Sequence, residues 1–432
     1  MKRKAIDELI KLKMSDIRKP VLLTGVKGVG KTYLAYDFAK AFFERIFYIH
    51  FKQSPLAKEL FDIKNPDKSL DLLKKHFNIT DDIPASRILI ADEISYCVEA
   101  LKLMQNSGLS QLFDYIICIS SNPILDELTD CFTVLPIYPL EFDEFLVATG
   151  NEWYIDLICT HFHNDKKLPD IVHKELLDLY HIYIEIGGMP GSINEYLNLS
   201  SAVNVAEQHN FLLGAYHDNI IRENSESDAF KMNQVLDSLP HQLMKENKKF
   251  QYKLIRKGTT HSMYRDAIQR LANSKYVIRC NRISNEQLIT SDNAFELFEQ
   301  SEISVDTITT NFKLYLFDTG LLNTKIAEEY DHTYHNNKFR ALFENNVAQS
   351  LQAKHYPFAF WESDSMAKID FIIQKNNEII PIEIYTDSKT RSKSISVFKQ
   401  KCSFPYAIKV SSKNFEQTRC IKYVPYYAVF CI

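Results

Sequence analysis

The stretch Val21-Leu-Leu-Thr-Gly-Val-Lys-Gly-Val-Gly-Lys-Thr32 decides the fold of this chain. A strand-like apolar run, Val21–Thr24, leads directly into Gly25–Thr32, which fits the pattern GxxxxGK[ST] at every position. Glycines let the backbone curl so that successive N–H groups point at phosphates, and the helix that opens there adds the positive end of its dipole. The pattern therefore predicts a phosphate-binding loop for a nucleoside triphosphate.

Each position of the loop has an expected role. Lys31 is expected to reach the β- and γ-phosphates, and the hydroxyl of Thr32 to hold Mg²⁺. Apolar residues at helical spacing follow the loop, and a second apolar run occupies 46–51. The order is therefore strand, loop, helix, strand, which a chance match to the pattern would lack. The other predicted nucleotide contacts are Gly25, Val26, Lys27, Gly28, Val29, Gly30 and Tyr33.

Length and composition set the class of protein. A chain of 432 residues predicts two to four domains, and a hydrophobic share of 45% with 25% charged residues is typical of a soluble globular protein. A net charge of −4 gives no global preference for nucleic acid or membrane. The eight cysteines include no CxxC pair and favour reduced core residues over disulfides or a zinc site. With neither a signal peptide nor a membrane-spanning run, we expect a cytoplasmic protein.

A phosphate loop needs an acidic partner on a neighbouring strand. The run Ile88-Leu-Ile-Ala-Asp-Glu93 offers Asp92, expected to hold Mg²⁺ through water, and Glu93, expected to orient or deprotonate the attacking water. A strand that simply ends in a capping acid is the alternative. A further buried strand, Tyr115–Ser120, is followed by Ser121 and Asn122, which are candidate sensors of the γ-phosphate, although a plain turn uses the same residue types. Near-continuous apolar strands separated by helices predict an α/β fold with a parallel sheet covered on both faces.

Several motifs together resemble a known family. The stretches Ile90–Ser95, Tyr115–Asn122 and Ile137-Tyr-Pro-Leu-Glu-Phe-Asp-Glu-Phe-Leu146 resemble AAA-type P-loop ATPases of bacteria and archaea, related to signal-transducing ATPases, that carry a C-terminal nuclease-like region. The resemblance implies ATP and Mg²⁺ as cofactors and a helical lid after the ATPase core.

The lid motif is Tyr183-Ile-Glu-Ile-Gly-Gly-Met-Pro190. By resemblance, Gly188 and Pro190 would lie against the adenine, whereas the residues by themselves are also those of a helix stop. One departure concerns rate: where the family carries Gly-Arg before the "YPL" run, this chain has Asp130-Cys131. An arginine there would stabilise charge on the γ-phosphate, so its replacement predicts slow hydrolysis.

The middle segment carries concentrated positive charge. We expect three helices, at 230–239 (ended by Pro240), at 252–256 and along 263–271, the last with Met263 on its apolar face. A strand at 276–280 follows them. Three helices and a strand are the winged-helix plan, which the resemblance also implies. Eleven basic against two acidic residues between Lys245 and Arg282 favour DNA as a partner, with a solvated face or a docked acidic domain as the alternatives. The candidate contacts are Arg256, Lys257, Ser262, Arg265, Gln269 and Arg270.

The C-terminal segment has the element order αβββαβ and resembles PD-(D/E)xK nucleases. Glu344, Asp370 and Glu383 stand where such an enzyme places its metal-binding carboxylates. Tyr385 replaces the usual lysine, and a phenol cannot supply its positive charge. Lys389 or Lys393 could reach in from the next loop, but a degenerate nuclease fold is the simpler interpretation.

The predicted architecture is thus a P-loop NTPase parallel sheet, a helical lid, a winged helix and a nuclease-like α/β domain. The predicted boundaries are 1–150, 151–226, 227–325 and 326–432. The expected function is slow, Mg²⁺-dependent ATP hydrolysis that drives a switch. The alternatives are an ATP-dependent DNA nuclease and a non-enzymatic module in which ATP gates binding of a protein partner.

Overall fold

The computed structural model describes residues 2–15, 19–80, 85–104, 108–199, 202–290, 298, 311–330, 335–363, 367–386 and 393–432. Lys389 lies outside this range. The chain divides into two compact units, Met1–Tyr138 and Pro139–Ile432. Among the described helices, none combines the length and apolar character needed to cross a membrane.

The first unit contains five strands and six α-helices among its described residues. The strands are β1 (Val21–Thr24), β2 (Arg45–His50), β3 (Arg87–Asp92), β4 (Tyr115–Ser120) and β5 (Thr133–Pro136). The helices are α1 (Ala5–Met14), α2 (Lys31–Phe42), α3 (Pro66–His76), α4 (Val98–Leu103), α5 (Leu109–Leu112) and α6 (Asp126–Thr129).

The sheet of the first unit has the order β2-β3-β4-β1-β5, and all its strands are parallel. Its central strands are apolar and buried because helices cover both faces, as for Ile88–Ala91, which are fully buried. β4 lies between β1 and β3, so the residues that follow these three strands meet at one edge. The predicted parallel α/β sheet is confirmed.

The second unit begins with helices and ends in a mixed sheet. Its helices are α7 (Phe142–Ala148), α8 (Trp153–Asn164), α9 (Asp170–Ile186), α10 (Pro190–Leu199), α11 (Ala202–Glu223), α12 (Glu226–Leu243), α13 (His261–Asn273), α14 (Asn285–Thr290), α15 (Thr319–Glu329), α16 (His335–Ala353) and α17 (Ser394–Lys399). Its strands are β6 (Val277–Ile283), β7 (Phe312–Leu316), β8 (Phe358–Glu362), β9 (Lys368–Lys375), β10 (Glu378–Ile384), β11 (Ala407–Ser411), β12 (Glu416–Gln417) and β13 (Ile421–Pro425).

The strand predicted for the winged helix belongs to a larger sheet. The eight described strands have the order β12-β13-β11-β10-β9-β8-β6-β7. β6 pairs antiparallel with β7 and parallel with β8, which joins the middle segment to the C-terminal one. The predicted αβββαβ elements occur in that order as α16, β8, β9, β10, α17 and β11, and β12 and β13 were not predicted.

Four local predictions need correction. Pro240 does not end the helix, because α12 continues to Leu243. The Pro240 carbonyl accepts a 2.9 Å hydrogen bond from the Met244 N–H, and buried side chains around the proline stabilise this last turn. Met263 is 41% exposed, since it lies beside the buried stripe of α13 rather than within it. The short second helix is a 3-10 turn, Tyr252–Leu254. Of the eight cysteines, three are buried and five are half-buried.

Candidate nucleotide-binding site

The loop after β1 is built on glycine conformations. Gly25 has φ 139° and Gly30 has φ 92°, which are backbone angles that favour glycine. A Cβ added at Gly25 would lie 2.3 Å from the Ile137 carbonyl oxygen, so a larger residue does not fit. Gly30 precedes the first residue of α2, Lys31, and places the helix N-terminus at the loop. This is the cradle that phosphates need.

The other predicted loop positions divide by exposure. Val26 and Val29 are buried beneath the loop, whereas Lys27 and Gly28 are exposed at its tip. Tyr33, in the first turn of α2, is 56% exposed. The loop is therefore anchored by its valines and open to solvent at the side where a ligand would arrive.

Lys31 is folded back onto the loop. Its Nζ donates hydrogen bonds to the carbonyl oxygens of Gly25 at 2.8 Å and Val26 at 3.0 Å, and to Ser121 Oγ at 2.9 Å. Burial lowers the pKa of Lys31 to about 8, although the carboxylates of Glu93 and Asp92 oppose the shift. An ammonium so poorly hydrated gains strongly from an anionic partner.

Asp92 and Thr32 meet at the carboxyl edge of the sheet. Thr32 Oγ1 donates a 2.8 Å hydrogen bond to Asp92 Oδ2, and the Tyr48 hydroxyl donates one of 3.0 Å to the same oxygen. Burial and the Asp92 charge raise the pKa of Tyr48, so its hydroxyl stays a donor. Mg²⁺ prefers oxygen ligands of this kind. Sequence reasoning missed Tyr48, which stands in the middle of β2 without a motif of its own.

Glu93 is held by Ser121, the residue that follows the neighbouring strand β4. Ser121 donates to its carboxylate twice, through Oγ at 2.6 Å and through the backbone N–H at 3.2 Å. Glu93 itself has φ 52°, a left-handed conformation that is unusual outside glycine. Ser121 thus bridges Lys31 and Glu93, and its predicted role as a sensor of the γ-phosphate stays a prediction. Asn122 instead donates to the Tyr96 hydroxyl at 3.3 Å.

An arginine supports the loop from below. The buried Arg3 side chain donates 2.7 Å hydrogen bonds to the carbonyl oxygens of Val29 and Tyr138. In a trans peptide the C=O and the following N–H point in opposite directions, so fixing the Val29 oxygen also fixes the Gly30 N–H. No motif marks Arg3 in the sequence.

The lid motif lies in the second unit. α9 ends at Ile186, Gly187 follows with φ 76°, and α10 begins at Pro190, so the helix-stop interpretation of the motif holds. Gly188 is buried, and its N–H donates a 2.7 Å hydrogen bond to Asp318. The predicted adenine contact of Gly188 and Pro190 stays a prediction.

Cys131 is half-buried against the core of the first unit. Its thiol contacts the Leu128 carbonyl oxygen at 3.6 Å, and the neighbouring Asp130 carbonyl accepts from Lys19 at 3.0 Å. A thiol in this setting offers no positive charge to a phosphate.

The first nuclease-like carboxylate is committed to cations. Glu344 contacts Lys313 at 2.9 Å, Lys248 at 3.2 Å and the Tyr315 hydroxyl at 2.7 Å. Burial would raise the pKa of Glu344, but the two ammonium groups outweigh it and hold that pKa far below its usual range. A cavity of about 300 Å³ is lined in part by Glu344, Lys248, Lys313 and Asp370.

The other two carboxylates have separate partners. Asp370 lies 3.6 Å from Arg340 and accepts a 2.8 Å hydrogen bond from the Ile384 N–H. Glu383 accepts 2.8 Å from the Tyr385 hydroxyl and lies 3.4 Å from Lys409, its register partner on β11. Across the described residues, no cluster of three or more His, Cys, Asp or Glu side chains is placed to hold a metal ion. The sequence analysis missed Lys248, Lys313 and Lys409 in these roles.

The candidate nucleic-acid face is exposed. Ser262, Arg265 and Gln269 lie on the solvent side of α13, as does Arg270, which is 3.5 Å from Asp228. Arg256 and Lys257 are exposed beside the preceding turn. Part of the local basic charge is neutralised, however, because Lys248 pairs with Glu344 and Lys249 with Glu362.

Known proteins resemble the chain in three segments. Residues 17–146 match the family model described as AAA domain, 177–331 match a domain of unknown function (DUF8612), and 339–429 match another (DUF4143). The comparison with curated proteins finds no match.

Solved structures resemble the chain more weakly. A Walker-type ATPase of Pyrococcus abyssi is 13% identical, with 75% of this chain and 95% of that chain covered and a TM-score of 0.39. The Aeropyrum pernix ORC1 protein in complex with DNA is 11% identical, with 76% and 93% covered and a TM-score of 0.31. AMPPCP-bound DnaA from Aquifex aeolicus is 13% identical, with 63% and 87% covered and a TM-score of 0.29. TM-scores this low do not establish a shared fold over the whole chain. The family match confirms the prediction of an AAA-type ATPase domain in the N-terminal third.

Proposed function

We propose that this protein binds ATP with Mg²⁺ at Gly25–Thr32, hydrolyses it slowly and uses the nucleotide state as a switch. The observation that carries the proposal is the meeting of Lys31, Ser121 and Glu93 with Thr32 and Asp92 at one edge of a parallel sheet. A chain of three side chains, Lys31–Ser121–Glu93, and the pair Thr32–Asp92 thus meet beyond the ends of three strands, β1, β3 and β4. That arrangement serves phosphoryl transfer, where positioning and charge stabilisation do most of the work.

Each side chain has a distinct task. The glycine cradle would receive the phosphates, and Lys31 would turn from the loop carbonyls toward the β/γ oxygens. Thr32 Oγ1 and Asp92 would hold Mg²⁺, which supplies neutralising charge between the phosphates when bound. Glu93 would accept a proton from the attacking water while Ser121 fixes its carboxylate.

Two features support the slow rate and the switch. Cys131 stands where the resembled family carries arginine and provides no positive charge for the transition state. Ser121 contacts both Lys31 and Glu93, so a phosphate that captures Lys31 removes one partner of Ser121 and changes how Glu93 is held. The presence or absence of the γ-phosphate would thereby change the side-chain contacts at the end of β4.

The experiment is ATP binding followed by limited proteolysis. The Lys31→Ala variant is expected to weaken ATP binding at least tenfold, while Lys40→Ala, on the exposed side of α2, binds like the parent. A parent protein that does not bind ATP would overturn the proposal. ATP binding without any change in the proteolysis pattern between the ATP and ADP states would overturn the switch and leave the ATPase standing.

DNA binding is a second candidate, supported by the exposed polar face of α13. Phosphate contacts by Arg265 and Arg270 would make affinity fall with salt, and each lost contact would reduce the salt slope by about 1. A gel shift across a salt series, comparing the parent with Arg265→Ala and Lys40→Ala, tests this. Binding that is insensitive to salt would contradict it.

DNA cleavage by the C-terminal segment gains no support. Glu344, Asp370 and Glu383 each lie beside a basic side chain, so a metal ion would have to displace those ion pairs. The third candidate, an ATP-gated interaction module, is the outcome in which ATP binds and is not turned over.

A further inference from the structure

Two cysteine side chains touch inside the second unit. Cys159 lies on α8, and Cys431 closes the 3-10 turn Tyr426–Cys431. Their Sγ atoms are 3.7 Å apart, and one thiol donates a hydrogen bond to the other. Both are free cysteines, and both are half-buried, so a small solute has access to them. They are 272 positions apart in the sequence, which hides the pair from any spacing rule.

The turn that carries Cys431 is fixed on its other side. Lys354 Nζ donates to the Phe430 carbonyl oxygen at 2.5 Å. The Ile432 oxygen accepts from the Tyr356 hydroxyl at 3.1 Å and from Lys375 Nζ at 2.6 Å. These bonds hold the turn in place and keep Cys431 directed at α8.

The two sulfurs differ in acidity. The hydrogen bond from the Cys431 thiol lowers the pKa of Cys159 to about 7 against the effect of burial, and His163, one helical turn further on, adds to the shift. The same hydrogen bond and burial raise the pKa of Cys431. Cys159 is therefore the more acidic thiol of the pair and the one that reacts as the nucleophile, while Cys431 is the one that retains its proton.

We propose that Cys159 and Cys431 are a redox-active pair that closes to a reversible disulfide when the protein meets a peroxide. This inference goes beyond the nucleotide chemistry and does not depend on it. In the first step the Cys159 thiolate attacks the peroxide, so that an S–O bond forms, the O–O bond breaks and hydroxide leaves. In the second, the Cys431 sulfur attacks Cys159 Sγ, the S–S bond forms, the S–O bond breaks and the hydroxyl departs as water with the proton of Cys431. Two thiols lose two electrons, and hydrogen peroxide is reduced to two waters.

The closed pair would tie α8 to the last helical turn of the second unit. A disulfide needs the sulfurs at about 2 Å, so the two Sγ atoms, now 3.7 Å apart, must come about 1.7 Å closer. A covalent link between positions so distant in sequence restricts the unfolded chain strongly. The oxidised protein is therefore expected to melt several degrees higher than the reduced one.

Thiol counting on the full chain tests the pair. The reduced parent, exposed to hydrogen peroxide and denatured, is expected to lose two of its eight thiols and to regain them with dithiothreitol. Peptide mapping should give a Cys159–Cys431 cross-link. Cys402→Ser, another half-buried cysteine of this unit, should behave like the parent.

The two serine variants separate the roles. Cys431→Ser should leave Cys159 as a sulfenic acid that dimedone labels, and Cys159→Ser should give neither label nor cross-link at this site. Circular dichroism checks that each variant is folded. If a serine variant does not fold, the alanine variant at the same position is used instead. A parent that keeps all eight thiols, or a cross-link that maps elsewhere, would overturn the proposal.

Discussion

Ser121 Oγ donates a 2.6 Å hydrogen bond to Glu93 Oε1 and accepts one of 2.9 Å from Lys31 Nζ. One hydroxyl group thus joins the residue expected to touch phosphate with the residue expected to activate water. The same serine adds its backbone N–H to Glu93, so the carboxylate is held by two donors. The position of Ser121 at the end of β4 follows from the strand order, because β4 lies between β1 and β3.

Replacing Ser121 with alanine should separate turnover from binding. The variant loses the hydroxyl that orients Glu93, and we expect kcat to fall by about 10- to 100-fold, as for a misplaced general base. The Kd for ATP should change less than about threefold, because Lys31 keeps its phosphate contacts in this variant. Ser120→Ala is the matched control, since Ser120 Oγ binds the Asn122 carbonyl instead. Equal losses in the two variants would contradict the assigned role.

The pH dependence of ATP affinity should report Lys31. Burial lowers the pKa of Lys31 to about 8 in the nucleotide-free protein, and bound phosphates would raise it again. A group whose pKa is raised on binding contributes its full share of the binding free energy below the pKa of the free protein. That contribution falls as the pH rises above the pKa of the free protein. The Kd should therefore be flat below pH 8 and weaken by roughly tenfold per pH unit above it. Lys31→Met, titrated in the same range, should bind weakly with no such slope; a parallel slope in both proteins would assign the effect to another group.

Gly187 should tolerate no side chain. A Cβ there would lie 2.3 Å from Asp318 Oδ1 and 2.7 Å from the Gly320 backbone nitrogen. Gly150 has nearly the same φ, 75° against 76°, but no atom of the described residues lies within 4 Å of its Cβ position. We expect Gly150→Ala to cost about 1–2 kcal/mol and Gly187→Ala at least about 3 kcal/mol, measured by urea unfolding. Similar costs at both positions would refute the close packing of Gly187 on Asp318 and Gly320.

The buried charges around Glu344 should dominate the stability of the second unit. Glu344→Gln leaves the ammonium groups of Lys248 and Lys313 without their carboxylate in a site where all three side chains are less than 10% exposed. The expected loss in free energy of unfolding is about 3–5 kcal/mol. Glu416→Gln removes the partner of Lys413 in a half-buried pair at the surface and should change the free energy of unfolding by less than about 1 kcal/mol. Equal losses in free energy of unfolding for the two variants would contradict a stabilising role of the buried charges around Glu344.

Local signals predicted much of the first unit. The pattern Gly25–Thr32 predicted the strand before it and the helix after it, and the apolar runs that become β3 and β4 lie within one residue of the observed bounds. The roles assigned to its residues stay predictions. The partners of these motifs were harder to predict. Tyr48 reaches Asp92 from the neighbouring strand, and Lys248 and Lys313 reach Glu344 from distant segments, so no periodicity in the sequence marks them. Helical spacing placed Met263 on the apolar face of its helix, but the residue lies at the edge of the buried stripe and is exposed.

The most direct test of the account is turnover by Glu93→Gln. This change keeps the shape of the side chain and removes the base, while Lys31, Thr32 and Asp92 are unaltered. We predict that the parent hydrolyses ATP slowly with Mg²⁺, and that the variant binds ATP as tightly while its kcat falls by at least about 100-fold, with and without DNA. Equal turnover in the two proteins would contradict the account.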